Sequence, residues 1–422
     1  MTLRTVNHNF TFKRSANTLP FAFREILCHR SLSDEFFLAD VRDGLGPFLG
    51  IFLTGRHWRP DEIGLVMTCG GIAGLLATLP AGIAADASRY KKTIVLLGCL
   101  VITLATLLLW YSDQSWTVMV SQIVAGIAAA FIGPTVAGIT LGLSGQAGFN
   151  RQMGRNEAFN HGGNTVAALL AGFSAWYWGM AAVFILMTMM AIFAAVATLA
   201  IRGDEIDHQV ARGFEKHQQA SPAQGLWMLV RQPALLIAGI TLLLFHLANA
   251  ALLPMLSMRV ASAGTQAAVS PGLYAAATVA ISQLVMIPVA LWVSKRIGTV
   301  GYRPLIMAAL LILPLRALLA ASYSEPIFVI PVQILDGIAA GILGVAVPGY
   351  IVSLLRGTGH VNAGQGVIML MQGTGASLSP ALTGAIAARY SYSIAFYVLG
   401  AIALCAFILW WRGGSTSDTR LA

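Results

Sequence analysis

The sequence predicts an all-α membrane protein with twelve transmembrane helices in two pseudo-symmetric six-helix bundles. Three observations lead there. The 422 residues are 57% hydrophobic and only 10% charged, whereas a soluble domain carries about 25% charged residues. Apolar stretches of about 20 residues recur along nearly the whole chain, each long enough to cross a hydrocarbon core of about 30 Å as a helix. The chain also repeats itself. "QIVAGIAAAFIGPTVAG" from Gln122 resembles "QILDGIAAGILGVAVPG" from Gln333, 211 residues on, and "LLAGFSAWYWGMAAVF" from Leu169 resembles "ALTGAIAARYSYSIAF" from Ala381, 212 residues on. Half of 422 is 211, so the duplication spans the chain.

The twelve stretches run approximately over residues 34–55, 61–85, 92–111, 116–143, 156–177, 179–201, 230–254, 270–294, 304–322, 326–353, 364–387 and 391–411. The longest polar connection, "RGDEIDHQVARGFEKHQQASPAQG" at 202–225, separates the sixth stretch from the seventh. This gives an N-terminal tail over 1–33, a first bundle over 34–201, a linker over 202–229, a second bundle over 230–411 and a tail over 412–422. Two parallel six-helix halves place a binding site near the midplane between them and favour alternating access by rocking. A channel or a membrane enzyme has no special need of that plan.

The net charge of +9 is distributed in a way that argues for a membrane orientation and against nucleic acid. With both termini cytoplasmic, twenty of the 26 Lys and Arg fall in cytoplasmic segments, four (Arg56, Arg59, Arg259, Arg389) fall outside, and Arg42 and Arg316 lie within helices. That is the positive-inside asymmetry. The first 30 or so residues hold Arg, Lys and His without an apolar h-region, so no signal peptide is expected. Cys69, Cys99 and Cys405 fall inside predicted helices and give no disulfide framework. The eight histidines are scattered, with no H-E-x-x-H or metal-ligand spacing, and no G-x-x-x-x-G-K-[ST] loop is present. Enzyme chemistry, a metal, a cofactor and ATP drive are therefore not expected. The glycine-rich "GTGHVNAGQG" at 357–366 reads as the loop and N-terminus leading into the eleventh helix.

Several motifs stand at related places in the two halves. After the second stretch comes "GIAADASRYKK", with Gly82, Asp86, Arg89, Lys91 and Lys92. Asp86, at a helix end, can accept from the N-terminal amides of a neighbouring helix, while Arg89, Lys91 and Lys92 can bind carbonyl ends or anionic headgroups. The motif resembles the loop 2–3 signature of the major facilitator superfamily, G-x-L-a-D-r-x-G-r-k. Its counterpart "ALWVSKRIGTVGYR" keeps Lys295, Arg296, Gly298 and Arg303, with Ser294 where an Asp is usual. "QIVAGIAAAFIGP" resembles the family's fourth-helix pattern, with Gln122 in place of its Arg. "GASLSPALTG" is close to the antiporter pattern G-x-x-x-G-P-x-x-G-G, whereas "GNTVAALLAG" in the fifth helix lacks the proline. The resemblance implies that Gly82, Asp86, Arg89, Lys91 and Lys92 latch the cytoplasmic side in the outward-facing state, and that helices 1, 4, 7 and 10 line a central cavity. The departures leave both proton coupling and transport direction open.

The polar residues inside the apolar runs are the site candidates. Asp40, Arg42 and Asp43 in the first helix each cost about 2.5–3.5 kcal/mol at a membrane centre, more than a few Phe and Leu offset, so they face water, partners or the bundle interior. Asp40 and Asp43 share a face; Arg42 points elsewhere and needs a partner on another helix. His246 and Asn249 share a face of the seventh helix, and Gln333 and Asp336 share one of the tenth; Gln122 marks the fourth. In the fifth helix Asn160 and Asn164 share a face beside His161, with Glu157 a turn before, and Gly162 and Gly163 also fit a packing seam. Arg316 and Asp336 lie within about one helical turn in depth. Their ion pairing would be structural, Asp336 facing the cavity would be functional, and the sequence leaves both open. The expected function is proton-coupled efflux of a small organic molecule by a monomer in the plasma membrane. The alternatives are an importer or facilitator of a metabolite, or a membrane enzyme or signalling protein without transport.

Overall fold

The structure, a computed structural model, describes residues 32–39, 41–42, 45–112, 114–203, 206–207, 232–264, 268–355 and 361–414. The first predicted span appears as a helical stretch α1 over 32–39 and a second helix α2, Pro47–Gly55. There follow α3 (Pro60–Ala87), α4 (Lys91–Tyr111), α5 (Ser115–Trp178), α6 (Met180–Ala200), α7 (Pro233–Asn249), α8 (Leu252–Ser262), α9 (Pro271–Val300), α10 (Tyr302–Ser322), α11 (Val329–Leu354), α12 (Val361–Arg389) and α13 (Tyr392–Gly413). Among the described residues, nine helical stretches are long and apolar enough to span a bilayer. Prolines open α2, α3, α7 and α9, where a missing N–H removes no helical hydrogen bond.

Two departures from the expected spans matter for function. α5 carries both the fourth and the fifth span as one run, and the chain reverses at Gly145, whose φ of 69° and ψ of 171° only glycine adopts cheaply. The first and the seventh span are each broken part-way. Gly46, at φ 47°, sets the entry to α2, and Ala250 and Ala251 form the turn between α7 and α8. Breaks inside a span expose backbone polar groups, which membranes tolerate only where the segment faces protein or a cavity.

One end of the bundle carries Arg89, Lys91, Lys92, Lys295, Arg296 and Arg303, and is called the basic end below; the opposite end is the far end. The packing of the two halves differs between the ends. One apolar core runs through the C-terminal half and crosses into the N-terminal half through Phe48, Phe52, Ile63, Leu109, Val118 and Phe184, all toward the far end. A separate core, with Leu38, Val95, Ile132, Val136 and Leu143, fills the N-terminal half toward the basic end. The helix seams agree. At the far end a Cβ on Gly64 or Gly384 would overlap the backbone carbonyl of Pro380 or Pro60, so α3 and α12 touch backbone to backbone. Gly172 of α5 and Gly272 of α9 meet in the same way at their shared end. The Ala381 N–H donates to Thr68 Oγ1 at 3.0 Å across the α3–α12 seam. Toward the basic end, Gly82 of α3, Gly298 of α9 and Gly366 of α12 have nothing within 4 Å of a Cβ position among the described residues. The halves are closed together at the far end and parted at the basic end.

Candidate functional site

α10 brings Arg316 into the interior of the C-terminal half, where its side chain is 1% exposed. A guanidinium cannot shed its charge, so burial there requires a countercharge and several acceptors. The spacing of α11 supplies both on one face: Asp336 Oδ1 lies 2.7 Å from Arg316 Nη1, and Gln333 Oε1 accepts from Nη2 at 3.3 Å. Asn249, the last residue of α7 before its break, accepts from Nη1 through Oδ1 at 2.5 Å. Ser282 of α9 donates to the other Asp336 oxygen at 2.6 Å. One charge pair thus ties together four helices. Among the described residues, Arg316 Nε and Gln333 Nε2 remain buried without a hydrogen-bond partner. The two readings that the sequence leaves open for Asp336 meet here, since it is ion-paired yet its side chain is 13% exposed.

From the level of Asn249 a cavity of about 310 Å³ runs toward the basic end between α7, α11 and α12. His246 and Asn249 contribute polar groups from α7, and Gln365 and Gln372 from α12. Phe245, Met369 and the face of α11 from Ala340 to Ile351 make the rest of the wall apolar. His246 lies edge-on to Phe245, with ring centroids 5.4 Å apart.

The N-terminal half is built differently. Asp34 and Glu35, at the start of α1, are both buried. Thr198 of α6 donates to Asp34 Oδ1 at 2.6 Å, and Asn156 of α5 approaches Glu35 Oε1 at 3.5 Å. Asn156 also donates to Thr140 Oγ1 at 2.9 Å and accepts from Gln152 Nε2 at 2.9 Å. Among the described residues no Lys or Arg forms a salt bridge with either acid. Arg42 is exposed, with one guanidinium nitrogen 3.5 Å from the Cβ position of Gly133 in α5. Asp40 and Asp43 lie outside the described residues.

Comparison with known proteins decides the family. A sequence profile described as Major Facilitator Superfamily matches residues 35–363 and 238–421. The chain belongs to the major facilitator superfamily. Two relatives, each called an uncharacterized MFS-type transporter and coming from two strains of Mycobacterium tuberculosis (CDC 1551 / Oshkosh and H37Rv), are 38% identical over 382 residues, covering 89% of this chain and 90% of theirs. Among solved structures, a mutant of the nucleoside transporter NupG aligns with a TM-score of 0.79 at 14% identity, over 92% of this chain and 100% of that one. A bacterial homolog of the human lysosomal transporter Spinster, inward-facing and unoccupied, aligns at 0.70 and 12% identity, over 96% and 98%. A peptide transporter POT mutant in complex with sulfate aligns at 0.73 and 13%, over 94% and 96%. The protein is a multi-pass membrane transporter with the MFS fold.

Within this major facilitator fold the remaining candidates take varied positions. The backbone carbonyl and Cβ of Gln122 pack against Gly70, so α3 and α5 approach closely where the sequence places a cavity residue. Asn160 and Asn164 share a face as expected, with a hydrogen bond of 3.4 Å between them, and the neighbouring Gly163 touches the Phe36 carbonyl of α1. His161 keeps a buried Nδ1 without a partner among the described residues, and Glu157 is exposed. In the loop 2–3 motif, Lys91 is buried and donates to the Ala85 carbonyl. Lys92 donates to the Leu199 carbonyl at 3.0 Å and to that of Ile201, closing the C-terminus of α6. Asp86 and Arg89 are exposed, and Asp86 makes no hydrogen bond or ion pair among the described residues. Sequence reasoning passed over Asp34, Glu35, Asn156, Gln365 and Gln372. Gln365 and Gln372 are seven residues apart, two turns on one helix face, and that spacing is the signal that finds them.

Proposed function

We propose that the protein exports a small organic molecule from the cytoplasm across the plasma membrane, in exchange for protons, by alternating access. The observation that supports alternating access is the continuity of the apolar core across the halves at the far end and its division at the basic end. Export and proton exchange rest on the antiporter-like "GASLSPALTG" and the titratable groups in the spans. The positive-inside bias puts the basic end in the cytoplasm, so the conformation is one whose cavity loads from the cytoplasm. Motion of one half against the other would open the α3–α12 and α5–α9 seams and bring the basic ends together. Asp86 would then reach the partners that the loop 2–3 motif expects. Titratable groups that support coupling are the Arg316–Asp336 pair behind the cavity, His246 in its wall, and Asp34 and Glu35, buried beside α5 and α6; the sequence adds Asp40 and Asp43.

Flux of a solute panel in energised inverted vesicles tests this, with wild type compared against Asp43→Asn. Export driven by protons gives uphill accumulation that a protonophore abolishes, and the variant retains only downhill movement. Uphill movement in Asp43→Asn equal to wild type removes Asp43 from coupling. Accumulation only in right-side-out vesicles makes the protein an importer.

A further inference from the structure

The cavity beside His246 also constrains what it accepts. Among the described residues, no charged side chain lines it. Arg316 and Asp336 sit behind Asn249 and neutralise one another at 2.7 Å. Asn249 is oriented by that pair. An Arg nitrogen only donates, so the Asn249 atom it meets is the carbonyl oxygen, and the amide NH₂ is left over as a donor. His246 has no hydrogen-bond partner among the described residues and offers one ring nitrogen of either kind, while Gln365 and Gln372 each offer both a donor and an acceptor. The rest of the wall is Phe245, Met369 and the apolar face of α11. A volume of about 310 Å³ lies at the small end of the range for drug-sized ligands.

From this we infer that the cavity takes an uncharged, amphipathic molecule: an aromatic or aliphatic body with carbonyl, amide or hydroxyl groups, rather than a carboxylate, a phosphate or an organic cation. An ion entering this cavity gives up hydration and finds no countercharge among the described lining residues to replace it. A neutral ligand with a carbonyl finds a preoriented donor at Asn249, and its apolar body is removed from water by α11 and Met369. The inference rests on the transport reading for the route the ligand takes, but not for its binding.

Two charge series on fixed scaffolds test it with the purified full-length protein. One is N-acetyltryptophanamide, its anionic analogue N-acetyltryptophan and its cationic analogue tryptophanamide; the other is thymidine and its 5′-monophosphate. Saturable shifts in melting temperature are recorded for each. The expected result is that at least one uncharged member binds, with its charged analogues tenfold weaker or worse. Gln372→Leu should weaken that ligand several-fold. Gln372→Glu should weaken it further and raise the affinity of the cationic analogue. Asn249→Leu should also weaken it, but it removes an Arg316 acceptor and so carries a folding risk that the Gln372 variants avoid. A charged member binding as well as its neutral parent overturns the assignment, as does no neutral member binding, or Gln372→Leu binding like wild type. Counterflow in proteoliposomes with the ligand so found separates the two readings: binding without counterflow keeps the ligand class and removes transport.

Discussion

The two halves descend from one repeated plan, yet they bury charge in opposite ways. The C-terminal half holds a full ion pair, Arg316 with Asp336, ringed by Asn249, Gln333 and Ser282. The N-terminal half holds two carboxylates, Asp34 and Glu35, whose described hydrogen-bond partners are the neutral Thr198 and Asn156. The duplication shows how the difference arose at one position. Asp336 stands three residues after Gln333, while the matching position after Gln122 is Ala125, so the fourth span has no acid to meet a buried arginine. A buried ion pair is rigid because either charge alone is costly. Carboxylates hydrogen-bonded to neutral groups have no such mutual hold. The C-terminal half thus holds its buried charge as a pair, whereas the N-terminal half holds buried acids without a salt bridge among the described residues.

The largest expected effect comes from splitting the pair. Asp336→Ala leaves Arg316 charged and buried, and should cost about 3–5 kcal/mol of stability. The double variant Arg316→Met with Asp336→Leu should recover most of that loss. Thermal melts of the three proteins form the cycle. A double variant no more stable than Asp336→Ala would show that the pair is not the unit, and that the surrounding Asn249 and Gln333 carry the cost instead.

Next in size is the seam on which both halves close. A methyl on Gly64 would overlap the Pro380 carbonyl, so Gly64→Ala should penalise the far-end-closed arrangement by about 1–3 kcal/mol, the usual cost of overpacking. Cross-linking of cysteines introduced on α3 and α12 near the far end should fall, while cross-linking near the basic end should rise. Unchanged cross-linking at both ends would mean that the seam gives way without opening, and the two-ended contrast in packing would lose its link to motion.

How much of this was legible in the sequence follows from what hydropathy and spacing can see. Most spans from α3 onward are matched within a few residues, because length and apolarity are set by the bilayer and not by neighbours. Helix nevertheless begins about ten residues before the expected fifth span and runs on to Ser262 and Val300 past the expected seventh and eighth. The C-terminal candidates His246, Asn249, Arg316, Gln333 and Asp336 converge because each interrupts a long apolar run, and such interruptions are costly wherever the fold places them. Asp34 and Glu35 escape the same test. They stand at the edge of the first span, after "HRSLS", where acids read as ordinary boundary residues, and only the arrival of α5 and α6 makes them buried. Gln365 is passed over differently: it stands in the first turns of α12, within the expected span, where a polar residue beside glycines reads as an ordinary helix start. Gln122 errs the other way: its polarity marks it, but neighbouring glycines draw α3 and α5 so close that its Cβ is spent on packing. Register between helices, which periodicity does not encode, separates these cases.

The N-terminal acids give a smaller and sharper prediction. Asp34→Asn and Glu35→Gln keep shape and hydrogen-bonding capacity and remove no described ion pair, so each should change stability by no more than about 1 kcal/mol, the scale of one neutral hydrogen bond. The comparison between the halves requires this gap: isosteric neutralisation must be mild in the N-terminal half and severe at Asp336. If Asp34→Asn proves as destabilising as Asp336→Ala, the N-terminal acids are charged and held by a cation, and the contrast between the two halves fails.

The smallest effect concerns Lys92, which links the basic motif to the acid network. It donates to the Leu199 and Ile201 carbonyls at the C-terminus of α6, one turn from the Thr198 hydroxyl that holds Asp34. Removing a cation from a helix C-terminus costs about 0.3–1 kcal/mol, so Lys92→Ala alone should lower the melting temperature only slightly. Its value lies in combination. If fraying of α6 loosens Thr198, Asp34 loses its hydroxyl donor, and the double variant Lys92→Ala with Asp34→Asn should be less destabilised than the sum of the two single variants. Additive losses would show that the end of α6 is held independently of Asp34. The basic motif would then have no hold on the buried acids of the N-terminal half.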